Sequence, residues 1–154
     1  HPQITALAFG LFNKCKRIPF FHYPILLQVL NKKLTNKMKI LFIINDAPYG
    51  SEKAYNALRI ANQLGKEHPD TEVRIFLMAD AVSAALPNQN TPNGFYNIER
   101  MLKLSLNKGA KVKLCGSCTD ARGIRNLPLV EGAEISTLAE LTDWVVDSDK
   151  VLTF

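Results

Sequence analysis

Cys115-Gly116-Ser117-Cys118 carries the sharpest chemical signal in this 154-residue sequence. Two cysteines three residues apart can exchange a disulfide, hold and pass a sulfur atom, or supply half of a zinc site. The thiolate is the reactive form, so the question is what would favour it. Cys115 follows Lys111-Val-Lys-Leu, which reads as a strand, and Ser117 or Thr119 is suited to cap a helix that Cys118 begins. A thiol placed there faces unpaired amides and a partial positive charge, both of which favour ionisation. Arg122, one turn along, would add a full positive charge if its side chain folds back. Cysteines at strand ends also serve as small buried hydrophobes, and spacing alone leaves both readings open. Zinc fits poorly, because residues 38–154 hold neither a second CxxC nor a pair of histidines. Cys15 and His22 fall in 1–37, and His68 stands at an expected helix end.

A second candidate is Asn45-Asp46-Ala47-Pro48-Tyr49-Gly50. Asp46 and Tyr49 stand where a substrate or partner would be met, although a turn-forming role for the Asp46 carboxylate is the simpler reading. The segment lacks the glycines and lysine of a phosphate-cradling loop, so it gives no support for mononucleotide binding.

These residues need a scaffold, and the hydrophobic pattern provides one. Lys39-Ile-Leu-Phe-Ile-Ile-Asn45 reads as a buried parallel strand. Ser51 can cap a helix running to about His68, with Ala54, Ala57, Leu58, Ala61 and Leu64 at helical spacing. Thr71–Met78 is a second strand, 86–94 a polar loop with two prolines, and Phe95–Asn107 a second helix carrying Ile98, Met101 and Leu102 and ended by Gly109. Lys111–Cys115 is a third strand. Thr137-Leu-Ala-Glu140 has capping-box spacing, with Leu138, Leu141 and Val145 on one face of the helix that follows. Val151–Phe154 closes the chain as a last strand. Strands separated by helices imply right-handed crossovers and a parallel sheet covered on both faces. In such sheets sites gather beyond the carboxyl ends of the strands. That edge would collect the Asp46–Tyr49 loop, Asp80 with the 86–94 loop, and the cysteine pair.

Charge and cysteine content narrow the functional classes. The net charge of +5 is carried by 1–37, which holds six of the basic residues and no acid; the remainder has 13 basic against 14 acidic residues. The main domain is therefore near neutral and gives no sign of a nucleic-acid partner. Three cysteines make no disulfide framework, and a reducing cytoplasm is the simplest compartment. No apolar run approaches the ~18–20 residues of a membrane span. Composition changes abruptly at Met38, so 1–37 is expected to be a basic extension outside the chemistry and 38–154 the functional α/β domain.

Asp46-Ala-Pro-Tyr-Gly-Ser-Glu-Lys-Ala-Tyr-Asn-Ala-Leu-Arg-Ile-Ala61 after the first strand, Phe76-Leu-Met-Ala-Asp-Ala-Val82, and Leu114-Cys-Gly-Ser-Cys-Thr-Asp-Ala-Arg-Gly-Ile124 together resemble the DsrE/DsrF-like sulfur-relay family, in its CxxC-bearing, YchN-like subset. The resemblance covers 38–154. It implies a three-layer α/β/α fold with a five-stranded, mostly parallel sheet, assembled as a homo-oligomer such as a trimer or hexamer. It also implies a cysteine at the end of the third strand, here Cys115, that accepts sulfane sulfur as a persulfide and passes it between donor and acceptor proteins without metal or organic cofactor. Stabilising amides would lie near Ser117 and Cys118, and Cys118 could release the sulfur by forming a disulfide. Two other readings of the same residues are a dithiol redox protein that needs both cysteines and a non-catalytic oligomeric module with an inert thiol.

Overall fold

The computed structural model describes residues 37–154. Cys15, His22 and, apart from Lys37, the expected 1–37 extension lie outside the described residues. β1 (Lys39–Ile44) pairs in parallel with β2 (Glu72–Leu77) on one side and β5 (Lys150–Thr153) on the other. β3 (Lys111–Cys115) continues from β2, and β4 (Ala133–Ser136) completes a five-stranded sheet in the order β4-β3-β2-β1-β5. All four pairings are parallel. The β-branched and aromatic content of KILFII and EVRIFL suits strands buried on both faces.

Alternation sends Val73, Ile75 and Leu77 to one face, where α1 (Lys53–Glu67) and α2 (Ile98–Asn107) pack. Leu41, Arg74, Phe76, Lys113 and Cys115 share the opposite face. α4 (Leu138–Asp147) crosses it, with Trp144 edge-on to Phe76 at 6.1 Å between ring centres. The result is the expected three-layer α/β/α arrangement. Phe42, Phe76, Leu41, Ile44, Leu58, Ile75, Ile98, Leu102 and Leu114 are fully buried within it. α1 and α2 are tied by a polar clasp: Asn62 Nδ2 donates to Met101 O at 3.0 Å, and Ser105 Oγ donates to Asn62 Oδ1 at 3.0 Å.

Several boundaries move for physical reasons. α1 begins at Lys53, not at the turn after Ser51, because the Ser51 hydroxyl bonds the Asp46 carboxylate at 2.8 Å. α2 begins at Ile98 and not Phe95, because Asn97 caps it by accepting from Arg100 N at 2.9 Å. Thr137 caps α4 at 3.3 Å as expected, but the reciprocal half of the capping box is absent. The Glu140 carboxylate instead takes the Ser136 hydroxyl at 2.7 Å and pairs with Lys113. α4 turns Leu141 and Trp144 inward, leaving Leu138 65% and Val145 40% exposed, so the expected Leu138–Leu141–Val145 face is not the buried one. The ring of Trp144 decides the rotation, held between the Arg74 guanidinium at 5.5 Å and Lys113 Nζ at 5.0 Å.

Arg74, only 5% exposed, ties the sheet to α4, its Nε donating to Glu72 at 2.6 Å and its Nη2 to Asp147 at 2.7 Å. Burial pushes the Glu72 carboxyl up, but bonds from Arg74 and Lys111 outweigh it and hold the group below its usual range. Hydrogen bonds from Lys39 and Arg74 hold Asp147 low as well. Carboxyls with depressed folded-state pKa add stability above their unfolded pKa and lose it as pH falls through the folded value. The thermal midpoint is therefore expected to fall on acidification below the ordinary carboxylate range, and Arg74→Met to make that acid slope shallower. Melts of both proteins across that pH range check it, and equal slopes would refute the coupling.

Candidate functional site

Cys115 is the last residue of β3 and the N-cap of α3 (Gly116–Ala121). α3 begins two residues earlier than the sequence suggests, and neither Ser117 nor Thr119 caps it by side chain. Thr119 Oγ1 turns back to Gly116 O at 2.6 Å, while Ser117 Oγ lies 3.2 Å from Cys115 Sγ. Without a side-chain cap, the first amides of α3 follow directly on Cys115 and have no acceptor within the helix. Cys115 is only 6% exposed. Burial pushes its thiol up, but bonds from the Cys118 thiol, the Ser117 hydroxyl and the amides of Cys118 and Ser117 together bring it below the usual cysteine value. Cys118 goes the other way. Burial and its bond to Cys115 push it up against the lowering effect of the Ala79 amide. The first proton to leave the pair therefore comes from Cys115.

The turn between β3 and α3 works because residue 116 has no side chain. A Cβ on Gly116 would stand 2.9 Å from the Ser136 carbonyl oxygen and 2.9 Å from Arg125 Nη2. The neighbouring strand β4, not recognisable by pattern, thus presses directly against the thiol's turn. Opposite it, β2 runs into a 3-10 helix, Ala79–Ala85, whose first residue holds φ of 44°. That left-handed residue carries the amide that donates to Cys118 Sγ at 3.3 Å.

The remaining sequence candidates are distributed around this centre rather than within it. Arg122 does fold back, donating from Nε at 2.9 Å and Nη2 at 2.7 Å to Asp80 and from Nη1 to Cys118 O at 3.2 Å. Its charge favours the Cys118 thiolate rather than adding to Cys115. Asp46 closes its own loop with Ser51 and with Lys53 Nζ at 3.3 Å, as a turn former would. Hydrogen bonds from Ser51 and Lys53 hold its carboxyl below the usual range. Tyr49 stacks on Tyr96 at 5.9 Å, donates to Gln89 Oε1 at 2.7 Å and accepts from Ile98 N at 3.2 Å.

Gln89, which no sequence signal singled out, pins the 86–94 loop. Its Nε2 reaches Ala84 O and Leu86 O, each at 2.9 Å, and its amide reaches Glu99 at 2.7 Å. The polar 86–94 loop is thus braced at that residue. Among the described residues no three His, Cys, Asp or Glu side chains lie together as metal ligands.

A parallel sheet with one thiol at a strand end and a second three residues on, in the helix that follows, defines a small α/β protein with a paired-cysteine site. The chain belongs to the DsrE/DsrF-like family, whose model matches residues 38–154. It is 49% identical over 116 residues to protein YchN of Escherichia coli K12, covering 75% of this chain and 98% of that one. An uncharacterized protein of Methanocaldococcus jannaschii is 44% identical over 117 residues, covering 76% of this chain and 100% of its own. The crystal structure of E. coli YchN superposes with a TM-score of 0.73 at 49% identity, over 76% of this chain and 99% of that one. A conserved protein of unknown function from Bacteroides thetaiotaomicron shares the fold at 15% identity, with a TM-score of 0.53 over 75% of this chain and 94% of its own.

Two substitutions test this geometry. Gly116→Ala is expected to lower stability by about 1–3 kcal/mol through overpacking against β4 and to slow alkylation of Cys115 at pH 7. Ala79→Gly keeps the left-handed turn without the Cβ penalty and is expected to raise stability by about 0.5–1 kcal/mol. Thermal melts and timed iodoacetamide labelling read both, and a harmless Gly116→Ala would contradict the close approach.

Proposed function

We propose that this protein is a sulfur carrier of the sulfur-relay type, holding sulfane sulfur as a persulfide on Cys115 and passing it to a partner protein. The observation that supports this reading is the place of Cys115, at the end of β3 and the N-cap of α3 with the Ser117 hydroxyl 3.2 Å from its sulfur, where its thiol is brought below the usual cysteine value despite burial. Family membership supports it independently. In the forward step the Cys115 thiolate attacks the outer sulfur of a donor persulfide. A Cys115 S–S bond forms, the donor's S–S bond breaks, and the electron pair leaves on the donor thiolate. An acceptor thiolate then attacks the terminal sulfur and Cys115 thiolate is regenerated, so no metal, oxidant or organic cofactor is needed.

The chemistry is assigned to 38–154, with 1–37 taking no part in it. Asp46, Tyr49, Ser117 and Arg122 border the route by which a donor or acceptor protein would approach. No helix among the described residues is long and apolar enough to cross a membrane. Thiols kept free for transfer need a reducing compartment, in the simplest case the cytoplasm. The working form is proposed to be a homo-oligomer, trimer or hexamer. Exposed Leu138, Val145 and Val146 on α4 and Val151 on β5, with Val146 88% exposed, offer apolar surface for such an assembly.

The presence of two free cysteines three residues apart also favours one second reading, a dithiol redox protein cycling through a Cys115–Cys118 disulfide. Intact-mass measurement after treatment with polysulfide or a persulfurated donor separates the two. One added sulfur on wild type and Cys118→Ser, lost in Cys115→Ser, is the expected result. An oxidised pair that needs both cysteines, with no sulfur retained, would transfer the assignment to redox exchange.

A further inference from the structure

Two arginines follow the cysteine pair, and the fold uses them differently. Arg122 is engaged with structure, donating from Nε and Nη2 to Asp80 and from Nη1 to Cys118 O. Arg125 is carried to the turn that holds the thiol. α3 stops at Ala121, and Gly123, at φ of 65°, reverses the chain. The amides of Gly123 and Ile124 return to Asp120 O and Thr119 O at 3.0 Å each, and Ile124 is buried. From that anchor the Arg125 side chain reaches back to the first residue of α3. Its Nη2 stands 2.9 Å from the point that a Cβ on Gly116 would occupy. Standard bond lengths then put Nη2 no more than about 8 Å from the Cys115 Cα atom.

Asp120 holds the guanidinium there through Nε and, at 2.7 Å, through Nη2. The pair has a direction. Outside its chain neighbours and helix backbone, the three atoms nearest to the Gly116 Cβ point are Arg125 Nη2, Ser136 O and Ile135 Cγ2. The Asp120 carboxylate is the more distant member, so the ion pair turns its cation towards the thiol's turn. The two side chains are 46% and 52% exposed, open to a molecule that approaches from solvent. Lys113, the cation nearest to Cys115 along β3, is engaged by Glu140 and the Trp144 ring instead.

We propose that Arg125 is a specificity-determining residue, selecting donors that reach Cys115 with a negatively charged terminal sulfur. This rests on Cys115 as the sulfur-accepting thiol and adds the charge of what it accepts. Such a transfer brings like charges together, because the Cys115 thiolate must attack a sulfur that is itself an anion. A Cys115 S–S bond forms, the donor's S–S bond breaks, and the electron pair leaves on the donor's inner sulfur. The negative charge that arrives on the donor equals the charge that departs, and no proton moves. Repulsion opposes the encounter within a screening length of about 8 Å at physiological ionic strength. A guanidinium fixed beside the turn offsets that repulsion and draws the anion in.

The test compares two alkylating agents of similar size, anionic iodoacetate and neutral iodoacetamide, on the full chain at pH 7. Label on Cys115 is located by mass spectrometry. Both agents need the thiolate, so the ratio of their rates cancels its ionisation and reports charge along the approach. Arg125→Gln is expected to lower the iodoacetate-to-iodoacetamide ratio about threefold, and Arg125→Lys, which keeps the charge, to hold it near the wild-type value. An unchanged ratio in Arg125→Gln, or an equal fall in Arg125→Lys, overturns the proposal. Wild type alone gives a second readout. Salt at about 1 M should bring its ratio down towards that of Arg125→Gln, and a ratio indifferent to salt overturns the charge assignment even if a variant folds poorly.

Sulfur uptake from inorganic polysulfide is then followed by intact mass. Arg125→Gln is expected to load more slowly than wild type by a similar factor, and equal loading overturns the selection of charged donors. A wild-type chain that takes up no sulfur, yet shows the expected alkylation ratios, would refute the carrier reading and leave the charge preference of the site standing.

Discussion

Burying a thiol that must ionise sets desolvation against hydrogen bonding, and the carboxyl edge of this sheet is organised around that opposition. Removing a sulfur from water favours the neutral form, and only donors placed at contact distance reverse the preference. Cys115 obtains them because its strand ends as a helix begins, so the amides of Ser117 and Cys118 have no helical acceptor. α3 is six residues long, and its contribution is these local amides rather than a long aligned dipole. The rest of the edge follows from keeping the donors in place. Gly116 allows β4 to press close, Ala79 takes a strained angle to aim an amide, and Thr119 turns its hydroxyl to Gly116 O, leaving the sulfur to the other groups.

The charged side chains nearby serve a different purpose. Arg122 with Asp80, and Arg125 with Asp120, tie segments together at partly exposed positions where isolated ion pairs add little stability. The effect of the pairing is geometric. The Arg122–Asp80 pair holds the 3-10 helix to α3, and the Lys113–Glu140 pair leads from β3 to the start of α4. Across the Trp144 ring from Lys113, Arg74 links Glu72 and Asp147. Both ends of α4 are thus tied by a cation to the same sheet face.

Much of this was legible in the sequence because the longer elements carry strong periodic signals. KILFII, EVRIFL and KVKLC read as strands to within a residue, and the position of Cys115 at a strand end followed directly. β4 was not legible as a strand. It is four residues long, Ala-Glu-Ile-Ser, and pairs on one side only, so hydrophobic alternation is too brief to register; its place in a five-stranded sheet came from family resemblance. The 3-10 helix was hidden as well, since Ala-Asp-Ala-Val-Ser-Ala-Ala has no distinctive turn chemistry. With it was hidden the Ala79 amide, because a backbone donor leaves no mark in residue type. Spacing placed Arg122 near the cysteines but could not reveal that Asp80, forty-two positions earlier, would hold its charge. The polarity of 86–94 marked a loop but not what holds it, a single glutamine whose donors and acceptors brace the segment where it sits.

The small exposure of Cys115 bears on what it could exchange with. A cysteine residue only 6% exposed cannot be reached from many directions, and thiol–disulfide and persulfide exchange both need an approach along the line of the breaking S–S bond. A bulky disulfide must bring two substituted sulfurs into that line. A persulfide brings a terminal sulfur that carries only a proton or a charge, so it enters a narrow approach more easily.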